Sequence, residues 1–383
     1  MISTGKDKLV ISGLALANPH VGQGVYTLRL VQGLARRLGN QFVVIAPSTI
    51  AKPAELGEEH FCAMPPFRAP QNELLTHAVA SFRLLEFVRE KFPGAVFHSP
   101  GPITGLVSPA KTVVTLHDCL YRHFRSYDGR FFLRKFLSRA AERFAGKAHL
   151  VLTDSEFSRN DLIEKAGISP KKIEVLYPWV GPEFLESMRR DKVAELRARL
   201  QLPERFWLYL GGYDHRKNVE FLLDAYARAN RQKILPTLVL AGKLPTTKHV
   251  ATCDVAGALT RNGLKSDSVI QAGAIPVADL ADLYRAASLL VFPSLGEGFG
   301  LPPAEAMAVG CPVLVSKRTS LPEVVRNPGS LFDPTSAPEL IEKLLAAAED
   351  EQQFGASLSP EFTEGYAITR YLKLLDLKIA ARE

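Results

Sequence analysis

Short, continuously apolar runs rich in Val, Leu and Ile alternate with longer helical patterns along almost the whole chain, and that rhythm leaves few folds open. The strand candidates in the first half are Leu9–Leu16, Phe42–Ala46, Val96–His98, Thr112–Leu116, Leu150–Thr153 and Ile173–Leu176. In the second half they are Trp207–Leu210, Thr237–Ala241, Ser268–Gln271, Leu289–Phe292 and Pro312–Val315. Most are apolar at every position rather than alternating, as strands covered on both faces must be. Helical patterns separate them: Gly24–Leu38, Glu73–Glu90, Phe131–Ala145, Ser158–Lys165, Val219–Ala229, Leu280–Ala286, Pro303–Ala308 and Pro338–Ala348. A β-α-β-α order of this kind predicts α/β domains, each a doubly wound parallel sheet with helices on both faces.

The rhythm breaks at Tyr177–Phe184, YPWVGPEF, where two prolines and a glycine interrupt it. That stretch reads as a linker, so two Rossmann-like domains are expected, over 1–180 and 181–365. The amphipathic Phe362–Ala381 stretch has no strand after it, and residues 366–383 are expected to form a helix packing back on the N-terminal domain. A length of 383 residues suits two domains. Ligands of open parallel sheets bind beyond the carboxyl ends of the strands. If the two domains face each other with those ends, the cleft between them is where a site is expected.

Composition narrows the class further. The chain is 46% hydrophobic and 23% charged, as ordinary globular proteins are. No apolar run approaches the roughly 18 residues of a membrane span. The apolar stretch near the N-terminus, which contains Ser and Gly, reads as a first buried strand rather than a signal peptide. Cys62, Cys119, Cys253 and Cys311 are too far apart for a CxxC motif, so a reduced, cytoplasmic protein is expected. Of the net charge of +7, +6 sits between Tyr121 and Lys147, where eight Lys or Arg face only Asp128 and Glu142. Such a segment can meet phosphorylated substrates, anionic lipid or nucleic acid. No recognised nucleic-acid module accompanies it, and nucleic acid is not expected as a partner.

Loops that follow strands carry the chemistry. The first, ANPHVGQGVYTLRLV, contains Gly22 and Gly24 but has Thr27 where a dinucleotide fingerprint needs its third glycine. No acid follows the second strand to hold a ribose, and no GxxxxGK[ST] occurs. A dehydrogenase and a P-loop enzyme are therefore not expected. The two glycines still suit an anion approaching a helix start, or simply a tight turn. His117-Asp118 follows Thr112–Leu116; the His can face a ligand, or the pair can be structural. Gly211–Asn218, GGYDHRKN, sets Arg216 and Lys217 at a helix start, where the macrodipole disfavours cations. A phosphate bound there would remove that conflict, which favours anion binding over the alternative of a solvated basic turn.

The segment LVFPSLGEGFGLPPAEAMAVG is the most informative. Glu297 precedes a glycine-rich loop, Pro302-Pro303 opens a helix, and Glu305 is expected in its first turn, with seven residues between the two glutamates. The amides of Gly298–Leu301 (Phe299 and Gly300 among them) beside a helix N-terminus would cradle an anion, with a carboxylate at each end for hydroxyl pairs. Either glutamate alone also fits a dull role, Glu305 as a dipole-favoured acid and Glu297 as a loop residue.

Taken together and in order, these segments resemble the family-4 retaining glycosyltransferases of the GT-B fold. The match runs through VYTLRLVQGLARRL, VVTLHD, VLTDSEFSRNDLIE, KIEVLYP, LYLGGYDHRKNVEFLLDAY, LVLAGK, LVFPSLGEGFGLPPAEAMAVGCPVLVS and SLPEVV. The RKN tripeptide with GEGFGLP is similar to a mannosyltransferase-like branch. The resemblance implies that Arg216 and Lys217 hold the donor diphosphate and that Glu305 binds the nucleotide ribose. It further implies that Glu297 and the Gly298–Leu301 amides hold sugar and phosphate, that His117 touches the donor sugar, and that Gly22 and Gly24 approach the pyrophosphate. Gly212 stands where many members have Arg or Lys, Tyr177-Pro178-Trp179 replaces a usual Asn-Gly, and Gln23 separates the first-loop glycines where a third glycine is frequent.

The implied reaction is transfer of a hexose with retained configuration, GDP-mannose being the favoured donor and a UDP-sugar the second. The leaving diphosphate is stabilised by fixed cations and amides. No DxD motif occurs, so no metal or other cofactor is expected. The base is expected to be read by backbone near Gly273–Ile275. The implied acceptor is a glycan or a polyprenyl-diphosphate-linked saccharide, as in polysaccharide biosynthesis. The basic, Phe-rich segment 122–147 is expected either to meet an anionic membrane surface, making the protein peripheral on the inner face, or to pack as a core helix. A non-catalytic glycosyltransferase-like subunit, an epimerase and a phosphorylase are the rival classes.

Overall fold

A computed structural model describes residues 8–18, 22–66, 73–102, 111–124, 131–188, 190–243, 252–265 and 267–378. The chain divides into two units, each with one fully parallel sheet.

Unit 1 comprises Met1–Tyr121, Gly129–Pro178 and Glu364–Glu383. Its strands are β1 (Leu9–Ser12), β2 (Phe42–Pro47), β3 (Phe61–Met64), β4 (Val96–Ser99), β5 (Lys111–Thr115), β6 (Leu150–Thr153) and β7 (Ile173–Val175). They pair in the order β3-β2-β1-β4-β5-β6-β7. β1, β2 and β6 are buried along their whole length, which is why their sequences lack alternation. β1 ends at Ser12 rather than Leu16, and Leu14–Ala17 forms a 3-10 turn instead.

The helix Glu364–Lys378 belongs to unit 1. Tyr371 is fully buried and meets Nδ1 of His98 at 2.8 Å, while His98 Nε2 meets Thr115 Oγ1 at 2.9 Å. Arg370 donates to the Val175 carbonyl at 3.0 Å, and Arg36 pairs with Glu364. Gly33 makes room for the same helix: a Cβ there would stand 2.7 Å from the end of Ile368.

Unit 2 comprises Arg122–Asp128 and Trp179–Thr363. Its strands are β8 (Phe206–Leu210), β9 (Thr237–Ala241), β10 (Val269–Gly273), β11 (Leu289–Phe292), β12 (Val313–Ser316) and β13 (Leu331–Phe332), paired in the order β10-β9-β8-β11-β12-β13. Trp207, Leu240 and Leu314 from the strands pack with Leu222, Tyr226 and Leu344 from helices in one buried core. Arg122 and Phe124, grouped by sequence with the first half, lie in unit 2, where Phe124 packs over Gly296 closely enough that a Cβ there would be 2.8 Å from its ring.

Both sheets reverse their strand order beside the first strand of the unit, between β1 and β4 and between β8 and β11. Loops leaving these strands in the same direction diverge at that point and leave a crevice, the usual ligand position of a doubly wound sheet. The loops carrying Gly22 and Gly24, and those carrying Arg216, Lys217 and Glu297, therefore leave the sheets at switch points.

Candidate active site

In unit 2, β8 runs through Gly211–Asp214 into a tight 3-10 turn, His215–Lys217. Asn218 then adopts a left-handed conformation, φ 59°, and turns the chain into the helix Val219–Gln232. Its side-chain amide donates to the carbonyls of Pro334 at 2.9 Å and Pro293 at 3.3 Å, which offsets the cost of that backbone. The turn is tied to the loop after β11, because the Leu295 amide donates to the Arg216 carbonyl at 2.7 Å. The Arg216 guanidinium in turn donates to the Gly296 carbonyl.

Glu297 sits among these groups. Its Oε1 lies 2.8 Å from Lys217 Nζ and accepts from Ser294 Oγ at 2.6 Å, and its Oε2 lies 2.9 Å from Arg216 Nη1. Burial alone would make this carboxyl harder to ionise; Lys217 and Arg216 outweigh burial and hold it below the usual carboxylate range. Its amide donates to Thr319 Oγ1 at 2.9 Å, and its carbonyl accepts from Ser320 Oγ at 2.8 Å. The conflict between two cations and a helix start is thus relieved inside the chain. The conflict by itself therefore does not call for a bound phosphate.

The glycine-rich loop follows. Gly300 has φ 117°, and a Cβ on it would stand 2.7 Å from Leu321, so only glycine fits. The helix Leu301–Ala308 starts there, with Pro302 and Pro303 in its opening turn, where a missing amide costs nothing. The Phe299 side chain is buried, with its ring 5.2 Å from that of Phe362, which fixes the backbone of the loop. Gly298 lies half-buried between Glu297 and Phe299.

Glu305 is the fifth residue of that helix, so it lies beyond the first turn where it was expected. A first-turn preference for acids therefore does not account for it. It is 7% exposed and accepts from the hydroxyl of the fully buried Tyr284 at 3.4 Å. Tyr284, in the helix Leu280–Ala286, was not singled out from sequence. Gly212 has no structural need to be glycine: an added Cβ would find Asp214 at an ordinary 3.6 Å.

In unit 1, Gly22 opens the helix Gly22–Leu38 and is exposed, with nothing within 4 Å of an added Cβ; Gly24 is buried. Among the described residues, packing gives no reason for glycine at 22. His117 follows β5, and its ring packs edge-on against Tyr26 at 5.0 Å. Its carboxylate partner is not the neighbouring Asp118, which caps the turn at Leu120 by accepting from that amide at 2.9 Å. Asp154, just beyond β6, holds it instead: Nδ1 lies 2.9 and 3.1 Å from the two Asp154 oxygens.

The other ring nitrogen of His117, Nε2, lies 3.1 Å from the Pro100 carbonyl. With an acceptor at each nitrogen, the imidazole is best satisfied with both protonated. Burial opposes that charge, yet Asp154 and the Pro100 carbonyl outweigh it and push the pKa above the ordinary imidazole value. Asp154 is thus a second group that sequence reasoning missed. A signal existed, since two successive strands paired in parallel bring the residues at their carboxyl ends side by side.

Residues 204–350 match the family model described as Glycosyl transferases group 1, and residues 21–184 match the one described as Glycosyltransferase Family 4. Together the two matches take in more than half of the chain. The chain belongs to the family-4 glycosyltransferases. Among curated relatives of this glycosyltransferase is the O-antigen chain mannosyltransferase B of Escherichia coli, 26% identical over 90% of this chain and 91% of the relative. The serotype-specific mannosyltransferase WbdA of E. coli is 32% identical over 63% of this chain, which spans 30% of that longer protein. The crystal structure of Anabaena HepE in complex with UDP superposes with a TM-score of 0.71 at 20% identity, over 97% of this chain and 100% of that one. The glycosyltransferase therefore has the GT-B fold, with two Rossmann-like units. Among the described residues, no helix is long and apolar enough to cross a membrane.

Proposed function

We propose that this glycosyltransferase is a retaining, metal-independent hexosyltransferase that moves mannose from GDP-mannose to a glycan or polyprenyl-diphosphate-linked saccharide in cell-surface polysaccharide synthesis. The convergence of Arg216, Lys217 and Glu297 at the switch point of unit 2 carries this reading. Arg216 would grip phosphate oxygens as a fork, and Lys217 would add a point charge. Glu297, released from both cations, would accept from sugar hydroxyls, and Glu305 would accept from the ribose. Negative charge grows on the departing diphosphate during transfer, and cations fixed beforehand stabilise it without reorganising. His117, with acceptors at both nitrogens, is suited to donate to the hexose rather than to remove a proton.

Mannose is favoured because both E. coli relatives are named mannosyltransferases. A UDP-sugar is the second reading, favoured by HepE having been crystallised with UDP. Attachment to the inner membrane face is supported by the helix Phe131–Ala145, where Phe136 is 68% exposed and Arg139 and Arg143 are exposed beside it. These residues are three and four apart and so share one helical face.

A donor screen tests the proposal: release of nucleoside diphosphate from GDP-mannose, UDP-glucose and ADP-glucose, with and without a lipid-linked acceptor and without added divalent metal. The expected result is GDP release that depends on acceptor, with the product retaining the donor's anomeric configuration. An inverted product would remove the retaining assignment, and release confined to UDP-glucose would replace the donor.

A further inference from the structure

The turn that carries Arg216 and Lys217 also carries His215, to which the proposed function gives no role. His215, Glu220 and Cys253 come from three elements: the turn His215–Lys217, the start of the helix Val219–Gln232, and the position just before Asp254, which caps the helix Val255–Asn262. A ring nitrogen, a carboxylate oxygen and the Cys253 sulfur all lie within 4.8 Å of one another. We propose that these three side chains form a binding site for a thiophilic divalent cation, Zn2+ being the best match, which pins the Arg216–Lys217 turn to the start of the helix Val255–Asn262.

The donor set points to that class of ion. Imidazole, carboxylate and thiolate together suit zinc, whereas magnesium and calcium select oxygen ligands. Zinc bond lengths of about 2.0–2.3 Å place tetrahedral donors roughly 3.3–3.7 Å apart.

The backbone already holds the cluster together. The Cys253 amide donates to the Tyr213 carbonyl at 2.7 Å, and Asp214 forms an antiparallel bridge with Thr252. Glu220 is oriented from outside the cluster, because one oxygen accepts from the Asp254 amide at 2.8 Å and the other from Arg261 at 3.0 Å. Each oxygen keeps a second lone pair for a metal, and such outer partners fix a ligand's direction.

Cys253 is 5% exposed, and its thiol points toward the Asp214 carbonyl at 3.6 Å. Burial pushes the Cys253 thiol up, and the Glu220 and Asp214 carboxylates add to this against the opposing amides of Val219 and Glu220, so without a cation the neutral thiol is favoured. On metal binding the sulfur would lose its proton to solvent and coordinate as thiolate. Three protein ligands leave a fourth position for water, so the ion would exchange rather than be locked in.

The test uses the full chain, stripped with a chelator and titrated with Co2+ and then Zn2+. The expected result is one Co2+ per chain with a thiolate-to-cobalt charge-transfer band, displaced by Zn2+, and a Zn2+-dependent rise in Tm. Losing a ligand should cost more than the roughly 10- to 100-fold typical of an outer partner. Cys253→Ser is therefore expected to abolish the band and weaken Zn2+ by more than about 100-fold. His215→Ala, at an exposed position that does not threaten folding, should weaken it by at least about tenfold. Cys62→Ser should leave the band unchanged. No bound metal at micromolar Zn2+, or a band that survives Cys253→Ser, would overturn the proposal. None of these readouts involves sugar transfer, so the site is judged apart from the proposed function.

Discussion

Lys217 Nζ lies 2.8 Å from Oε1 of Glu297, and Arg216 shares the same carboxylate through Oε2. The carboxylate thus occupies the cations that, on the proposed function, would hold a diphosphate, so a bound diphosphate would compete with it. Replacing Glu297 by Gln keeps the size and removes the charge. Turnover is expected to fall by about 10²–10³-fold, the usual cost of one transition-state contact. GDP alone should bind at least as tightly as to the wild type, because the cations are no longer paired. Steady-state kinetics and calorimetry on the same variant check both halves, and parallel losses in both would contradict the exchange.

Asp154→Asn tests what fixes His117. Asn can still accept from Nδ1 but carries no charge, so the raised proton affinity of His117 should fall toward the ordinary value near 6.5. A histidine whose pKa is raised on folding contributes stability that is complete below its unfolded pKa. That contribution is lost as pH rises through the folded pKa. The Tm difference between wild type and variant should therefore be largest below about pH 6.5 and shrink at higher pH. The alkaline limb of the activity profile should move to lower pH. An imidazole NMR titration that is identical in both proteins would sink the assignment.

Tyr284→Phe removes the hydroxyl that meets Glu305 at 3.4 Å and keeps the ring. Glu305 should still reach its partner but be less well placed, so KM for the donor is expected to rise by about 3- to 10-fold with kcat little changed, equivalent to one hydrogen bond of about 1 kcal/mol. Glu305→Ala should raise it further. If kcat falls and KM stays constant, Glu305 acts on the transferred group rather than on the nucleotide.

Reversing Arg139 and Arg143 to Glu changes the exposed face next to Phe136 without touching the core. Each basic residue near an anionic surface contributes about 1 kcal/mol, so two reversals should weaken association with phosphatidylserine vesicles by well over tenfold. Flotation measures this directly. Equal flotation of both proteins, or none of either, would remove membrane attachment from the account.

The buried strands were legible because a strand covered on both faces has nothing but apolar residues to show. β3 and β13 were not read. Phe61–Met64 is a half-exposed edge strand, and Leu331–Phe332 is only two residues long. The helix Arg190–Leu200 also escaped notice, since Leu196 is its single buried residue and its remaining faces are charged. In the site, residue types were readable but pairings were not. Glu297 and Lys217 are 80 residues apart and meet only because β8 and β11 are neighbours. Asp118 is adjacent to His117 in sequence and was the obvious partner, yet Asp154, just beyond the neighbouring strand β6, holds the ring.

Calorimetric titration of GDP and UDP into the wild-type chain and into the Arg216→Ala/Lys217→Ala double variant tests the central claim most directly. Micromolar binding of GDP to the wild type is expected, with a loss of about 100-fold or more in the variant, as for two charge-assisted contacts at about 1.5–3 kcal/mol each. Equal affinity in the two proteins would contradict it.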